Sequence, residues 1–346
     1  MRLTQLMITT AAMALGTAAY AITEEEGLAQ IKAFTLEHNG ALIAEAKKLN
    51  TGAETYAAII ASHNGDYAAA WEADGAKLAE TIKALRTQWL AASNQYEVIE
   101  GIVAGIPSTA KYDLILDAGN PGDEEEDVAE YDLTLPDGTV LEQPGNLFHG
   151  ITEPLFWGTN EAHAKLEADL DGDGQIKTGE VLFDANLAVG ATRALVEWSQ
   201  ALEAEMSAWV PNRDDAFTAV VVMTPTVGDY FAEWKESQFV GGDALSFVAQ
   251  SRLVDVLGIM GGCQRMYVSA LAPVIAADDP ALDASITRGF EDLIALVSQT
   301  NERENGGEKF APEEADMIGR ETQDIAERIV AQVLQAAAKH GVDIKG

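Results

Sequence analysis

Four carboxylates fall within twelve residues in the run Asp169-Leu170-Asp171-Gly172-Asp173-Gly174-Gln175-Ile176-Lys177-Thr178-Gly179-Glu180. That spacing matches a twelve-residue EF-hand loop. Asp169, Asp171 and Asp173 supply oxygens at positions 1, 3 and 5, Gly174 allows the sharp turn at 6, and Gln175 offers its backbone carbonyl at 7. Ile176 is expected as the inward apolar anchor, and Glu180 closes the ring with two carboxylate oxygens. Lys177 departs from the pattern, because a cation at position 9 weakens affinity; sites of ~10⁻⁴–10⁻³ M nevertheless suffice outside the cell. Without an ion the carboxylates would repel one another, so a calcium loop is expected over a bare acidic turn. A single loop of this kind reads as a structural clip, flanked by a helix over 161–169 and by the apolar Val181-Leu182-Phe183.

Other chemistry is sparse. The chain has no H-E-x-x-H and no recognisable Ser-His-Asp or Cys-His arrangement. Its one cysteine, Cys263, lies in the apolar-rich run Gly258-Ile259-Met260-Gly261-Gly262-Cys263. A lone cysteine rules out an intrachain disulfide and a thiolate cluster, and this one reads as a buried, inert thiol.

The elements that must position these groups read as helices. Trp71, Leu78, Ile82, Leu85, Trp89, Tyr96 and Ile99 recur at helical intervals on one face. Thr23 and Glu26 form a capping box, and Pro312-Glu313-Glu314 opens a helix striped by Ile318, Ile325, Ile329 and Val333. A further helix is expected over 283–297. The exceptions are a charged loop over 120–127 and a β-hairpin, in which Tyr131, Leu133 and Leu135 alternate with polar residues before the turn Pro136-Asp137-Gly138. The reading is an all-α protein of two helical bundles with a small hairpin excursion: 22–185 carries the hairpin and the loop, and 186–346 forms the second bundle.

Met1-Arg2, an apolar stretch from Leu3 to Gly16 and Ala19-Tyr20-Ala21 give an export leader over 1–21, too short to span a bilayer. No later run is long and apolar enough to be a membrane helix. The expected location is the periplasm or the exterior. The net charge of −34 becomes −35 once Arg2 leaves with the leader. Such a surface repels phosphates and attracts cations, which sets nucleic acid aside; acidity is also a general solubility device.

The segment Asn146-Leu147-Phe148-His149-Gly150-Ile151-Thr152-Glu153-Pro154-Leu155-Phe156-Trp157-Gly158 resembles the signature of the imelysin family, G-x-H-x-x-E followed by an apolar run ending in Trp-Gly or Phe-Gly. Trp89, Tyr96, Glu97 and Glu100 resemble its N-terminal helix, and Arg193 with Trp198 and Trp209 the helix after the signature. Glu236 to Phe239, Asp255 and Gly258 to Tyr267 resemble its C-terminal half, and the stretch 271–296 also looks like the periplasmic iron-uptake subunits of the same superfamily. The resemblance implies two helical bundles, a cell-envelope location, a link to iron acquisition with envelope iron-uptake partners, and a peptidase label. His149 matches the family histidine. Leu147 replaces the glycine, Thr152 stands at i+3, and the glutamate, Glu153, is at i+4.

An imidazole with carboxylates suits iron or zinc. His149 and Glu153 would share a face if the backbone is helical, with Glu97 and Glu100, one turn apart, completing the set. On spacing alone Glu97 and Glu100 read as an exposed helix face, and His149 as a hydrogen-bonded core histidine. His38, His63, His163 and His340 stand among polar residues and are expected to be solvated. Three functions follow: a periplasmic metal-binding protein serving iron uptake, a metallopeptidase of the imelysin type, and a calcium-stabilised envelope scaffold.

Overall fold

The computed structural model describes residues 22–124, 126–244, 246–249 and 252–345. The leader inferred over 1–21 lies outside them. Helix α1 (Glu24–Ser62) opens on the expected capping box: Thr23 Oγ1 accepts from the Glu26 amide at 3.2 Å, and the Glu26 carboxylate accepts from the Thr23 amide at 2.9 Å. Asn64 and Gly65, both at positive φ, reverse the chain. Helix α2 (Tyr67–Val103) then returns along α1, capped by Asp66 and bent at Asp74. Leu78, Ile82, Leu85, Trp89, Tyr96 and Ile99 are buried along it, the face expected from their spacing.

The chain next makes a series of short elements. Helix α3 (Ala110–Asp113) passes into a π turn at Leu114–Ala118. Strands β1 (Asp132–Thr134) and β2 (Val140–Glu142) form the expected antiparallel hairpin, with Leu133 opposite Leu141. A second π turn, Leu147–Thr152, runs into α4 (Glu153–Phe156), where Pro154 occupies the first turn, a place that needs no amide donor.

A correction falls on the acidic loop. Its flanks are not helical: β3 (Ala164–Glu167) precedes it, β4 (Val181–Phe183) follows, and the two pair antiparallel. The short, alternately buried strand explains the difference, since only Leu166 of its apolar residues packs on the core while Lys165 and Glu167 face out.

Helix α5 (Ala185–Ala208) packs on α1. There follow α6 (Arg213–Met223), α7 (Val227–Glu236), α8 (Arg252–Met266), a π turn at Tyr267–Leu271, and α9 (Ala272–Asp278). The long helices α10 (Pro280–Asn305) and α11 (Pro312–Lys339) pack on each other, and Ile318, Ile325, Ile329 and Val333 form the buried stripe of α11. The fold is therefore all-α with two small hairpins. Among the described residues no helix is long and apolar enough to cross a membrane.

The contact that matters most for the site is α2 against α8. A Cβ on Gly101 would meet the Ile259 carbonyl oxygen at 2.5 Å and Cys263 Sγ at 2.9 Å; one on Gly258 would meet the backbone of Glu97 at 2.9 Å. Bare backbone at both positions lets the helices approach at the level of Glu97 and Glu100. Cys263 is buried in this seam, and burial pushes its thiol up to about 12, as an inert cysteine requires. Gly101→Ala or Gly258→Ala is expected to destabilise the protein by about 1–3 kcal/mol through overpacking. Urea unfolding checks this, and a midpoint equal to that of the parent protein would refute the close-contact account.

Candidate metal centre

Six carboxylates, from Glu97, Glu100, Asp113, Asp117, Glu153 and Asp255, are buried together with His149 and Arg252. Glu97 and Glu100 are 2% and 1% exposed, so the exposed face read from their spacing is corrected: α8 covers that side of α2. Burial of this many acids is costly unless each finds a counter-charge or donor, and tracing those partners defines the site.

His149 lies on the π turn, which is held by its cap and by Thr152. Asn146 accepts from the Gly150 amide at 2.8 Å, while Thr152 Oγ1 donates to the Leu147 carbonyl and accepts from Trp89 Nε1, both at 2.7 Å. A π turn closes over one more residue than an α turn. That extra residue absorbs the displaced glutamate: Thr152 at i+3 becomes an anchor for Trp89, and Glu153 at i+4 reaches back to His149. His149 Nδ1 and Glu153 Oε2 are 2.8 Å apart. The rings of Trp89 and Phe247 lie against the imidazole, at 5.6 and 4.6 Å between centroids.

Glu153 is thereby placed behind the ring. Besides His149, its oxygens accept from the amides of Phe247 and Ala249, each at 2.8 Å. Ser246 Oγ donates to the His149 carbonyl at 2.9 Å, so residues 246–249 form a strap over the histidine. Phe247 holds a positive φ of 58° there, a strained backbone for an aromatic residue, which the two amide contacts to Glu153 sustain.

The other ring nitrogen faces a different group. Nε2 lies 3.4 Å from Asp117 Oδ1 and 3.9 Å from Glu97 Oε1, and ligand atoms of Glu97, Asp117 and His149 all fall within 4.8 Å of one another. Among the described residues Nε2, Glu97 Oε2 and both Asp117 oxygens are buried with no hydrogen-bond partner. Donors about 2.0–2.2 Å from a common ion stand at about such separations, so this set fits a cation. A hydrogen bond from Nδ1 to a carboxylate fixes a metal-binding histidine with its Nε2 lone pair free, which is the role Glu153 takes here.

Glu100 adjoins the set and accepts from Tyr230 Oη at 3.1 Å. Asp113 accepts from Tyr96 Oη at 2.7 Å. Arg252 is buried between the rings of Tyr230 and Phe247 and pairs with Glu233 at 2.8 Å and Asp255 at 3.3 Å. Asp113, Asp117 and Asp255 were not singled out in the sequence as ligands, although a signal exists: Asp117 interrupts Leu114-Ile115-Leu116, and Asp255 interrupts Leu253-Val254 and Val256-Leu257.

The acidic loop is a second, exposed cluster. Ligand oxygens of Asp169, Asp171 and Asp173 lie within 4.8 Å of one another. Gly174, at φ 85°, makes the turn, and its amide donates to Asp169 at 2.8 Å. Glu180 folds back to accept from the amides of Leu170, Asp171 and Lys177. Lys177 does more than occupy position 9: its ammonium bridges Asp171 and Asp173, at 2.7 and 2.5 Å. Ile176 is 54% exposed, so the inward anchor expected there is corrected; with strands on both sides there is no second helix for it to pack on. Three of the histidines expected to be solvated have partners instead: His63 with Asp74 at 2.8 Å, His38 with Gln95 at 2.9 Å, and His340, its side chain 11% exposed, with Asp278 at 3.5 Å.

Burial, followed by neighbouring Glu97, drives Asp117 up to about 8; burial, partly offset by the Tyr96 hydrogen bond, drives Asp113 up to about 7. For His149, burial opposes the charge, but Asp117 and Glu153 outweigh it and hold the imidazole well above its usual range. In each case the folded chain keeps a proton that the unfolded chain, with aspartates near 3.8, gives up. Metal-free stability therefore falls as pH rises from about 4 to about 8. A bound cation displaces those protons, so its stabilising effect grows over the same range. Melting of chelated and metal-loaded protein at pH 5 and pH 8 checks both signs; a metal-induced shift larger at pH 5 would contradict them.

No curated protein matches the chain. A family model for imelysin, the M75 peptidase group, matches residues 35–338. That span runs from α1 to the last turn of α11 and takes in His149, Glu97, Asp117 and the strap. The chain belongs to the imelysin family.

Proposed function

We propose that this imelysin is an exported metal-binding protein of the cell envelope, which holds a transition-metal ion at Glu97, Asp117 and His149 in the service of iron acquisition. The observation that carries this reading is the set of buried, unpartnered donor atoms converging around His149 Nε2. One imidazole and two carboxylates form a donor set suited to iron, with zinc the competitor. The leader over 1–21 supports export, and the family's association with iron uptake supports the cargo. The strap also argues for holding an ion over cutting a peptide: His149 is 3% exposed beneath Phe247, so a polypeptide would first have to displace residues 246–249.

Calcium in the Asp169–Glu180 loop complements this role. Three aspartates share the space an ion needs, and the Lys177 ammonium that bridges Asp171 and Asp173 would turn aside as the ion binds. Fastened between β3 and β4, and tied to α2 where Arg86 donates to the Gly179 carbonyl at 3.0 Å, a filled loop would brace the helix that carries Glu97.

Metal analysis of purified protein tests the principal site. Iron is expected to bind the parent chain and to be lost in His149→Ala, while Glu153→Gln, which disturbs the orienting contact to His149 and the amide contacts of the strap, weakens affinity about 10–100-fold. Recovery of calcium alone, with added iron left unbound, would favour the scaffold reading; casein cleavage abolished by His149→Ala would favour the peptidase. For the loop, calcium at about a hundred times its Kd is expected to stabilise the fold by about 2.7 kcal/mol. A melting curve unmoved by calcium chelation would remove the loop as a structural site.

A further inference from the structure

One ion does not use up the donors. A cation bound by His149 Nε2 and by one oxygen each from Glu97 and Asp117 leaves the second Asp117 oxygen buried and unpartnered. It also leaves Glu100 Oε2, likewise buried with no partner among the described residues, since Tyr230 holds only the other oxygen. Glu100 stands one turn from Glu97 on α2, and the Glu97 carboxylate shares the 4.8 Å cluster with Asp117, whose charge is felt at Glu100. The remaining acids are provided for: Glu153 by the imidazole and two amides, Asp113 by Tyr96, and Asp255 by Arg252.

We propose that the centre is ditopic: a second divalent transition-metal ion binds beside the first, with Asp117 bridging the pair through its two oxygens and Glu100 as a terminal ligand. This rests on the metal-binding reading above and extends it from one ion to a carboxylate-bridged pair. Charge favours it. Once bound metal has displaced the retained protons, six carboxylates face Arg252 and a neutral His149; one dication then leaves three negative charges in the core, and two leave one. Geometry favours it as well. Glu97 and Glu100 are one turn apart on α2, and Asp113 and Asp117 are one turn apart where α3 enters its π turn. Two helical segments thus present carboxylates to each other, as in the helical bundles that hold metal pairs. A bridging carboxylate spans ions about 3.5–4 Å apart. Asp113, whose Oδ1 is held by Tyr96, stands on the same segment to steady the bridge.

The test counts ions in the full mature chain with calcium in excess, so that the loop is already filled. Ferrous iron added without oxygen is expected to bind at two per chain in the parent and at one in Glu100→Gln, which keeps the shape of the side chain and an oxygen to accept from Tyr230; circular dichroism checks that the variant is folded. Mn2+ loading gives an independent readout: an exchange-coupled pair spectrum in the parent and an isolated-ion spectrum in E100Q. One ion per parent chain with an isolated-ion spectrum would overturn the second site and leave the first intact. Two ions retained in E100Q would also overturn it. Binding of neither Fe2+ nor Mn2+ would remove both this inference and the function it rests on.

Discussion

Negative charge in the core of this protein exceeds what its own side chains neutralise. Two unit charges about 4 Å apart repel by about 4 kcal/mol at the effective dielectric of a protein, and ligand atoms of Glu97, Asp117 and His149 lie within 4.8 Å of one another. Among the described residues Arg252 is the one buried guanidinium in the cluster, and Glu233 and Asp255 already engage it. The rest must be borne by retained protons or by bound cations. This choice links the titration of the aspartates, the stability of the empty fold and the affinity for metal: each proton the core keeps is one a metal must displace.

Holding such a cluster together takes rigid surroundings, and the fold supplies them from elements far apart in sequence. Gly101 and Gly258 bring α2 and α8 into backbone contact, which seals Glu97 and Glu100 from water. Two π turns present Asp117 and His149, and a wider turn lets a side chain point inward where an α-helix would carry it past. Trp89 joins these parts, with its indole N–H on Thr152 and its ring on His149. The strap over 246–249 closes the far side and ties the orientation of the histidine to its own backbone through Glu153.

The two acidic clusters illustrate opposite solutions to one electrostatic problem. In the exposed loop, water, backbone amides and the Lys177 ammonium share the charge, and the aspartates sit together at little cost. In the core, burial excludes bulk water, and among the described residues no lysine pairs with the cluster. A cation is optional in the first place and strongly called for in the second.

Much of this was legible in the sequence. Helical periodicity identified α2 and α11 with their buried faces, because a long amphipathic helix repeats its signal many times. The capping box and the hairpin were equally local and equally readable, and His149 stood out through its family motif. The acidic loop was legible in its oxygens but not in its flanks, since three- and four-residue strands are too short to declare a period. Tertiary structure alone decided which acids are buried. Glu97 and Glu100 look like a solvent face until α8 covers them, and Asp117, carried on a π turn, meets His149 across the packed elements. Spacing along a chain tells which side chains share a face of one helix; what lies opposite that face depends on how the helices pack, and that is where the charge became a site.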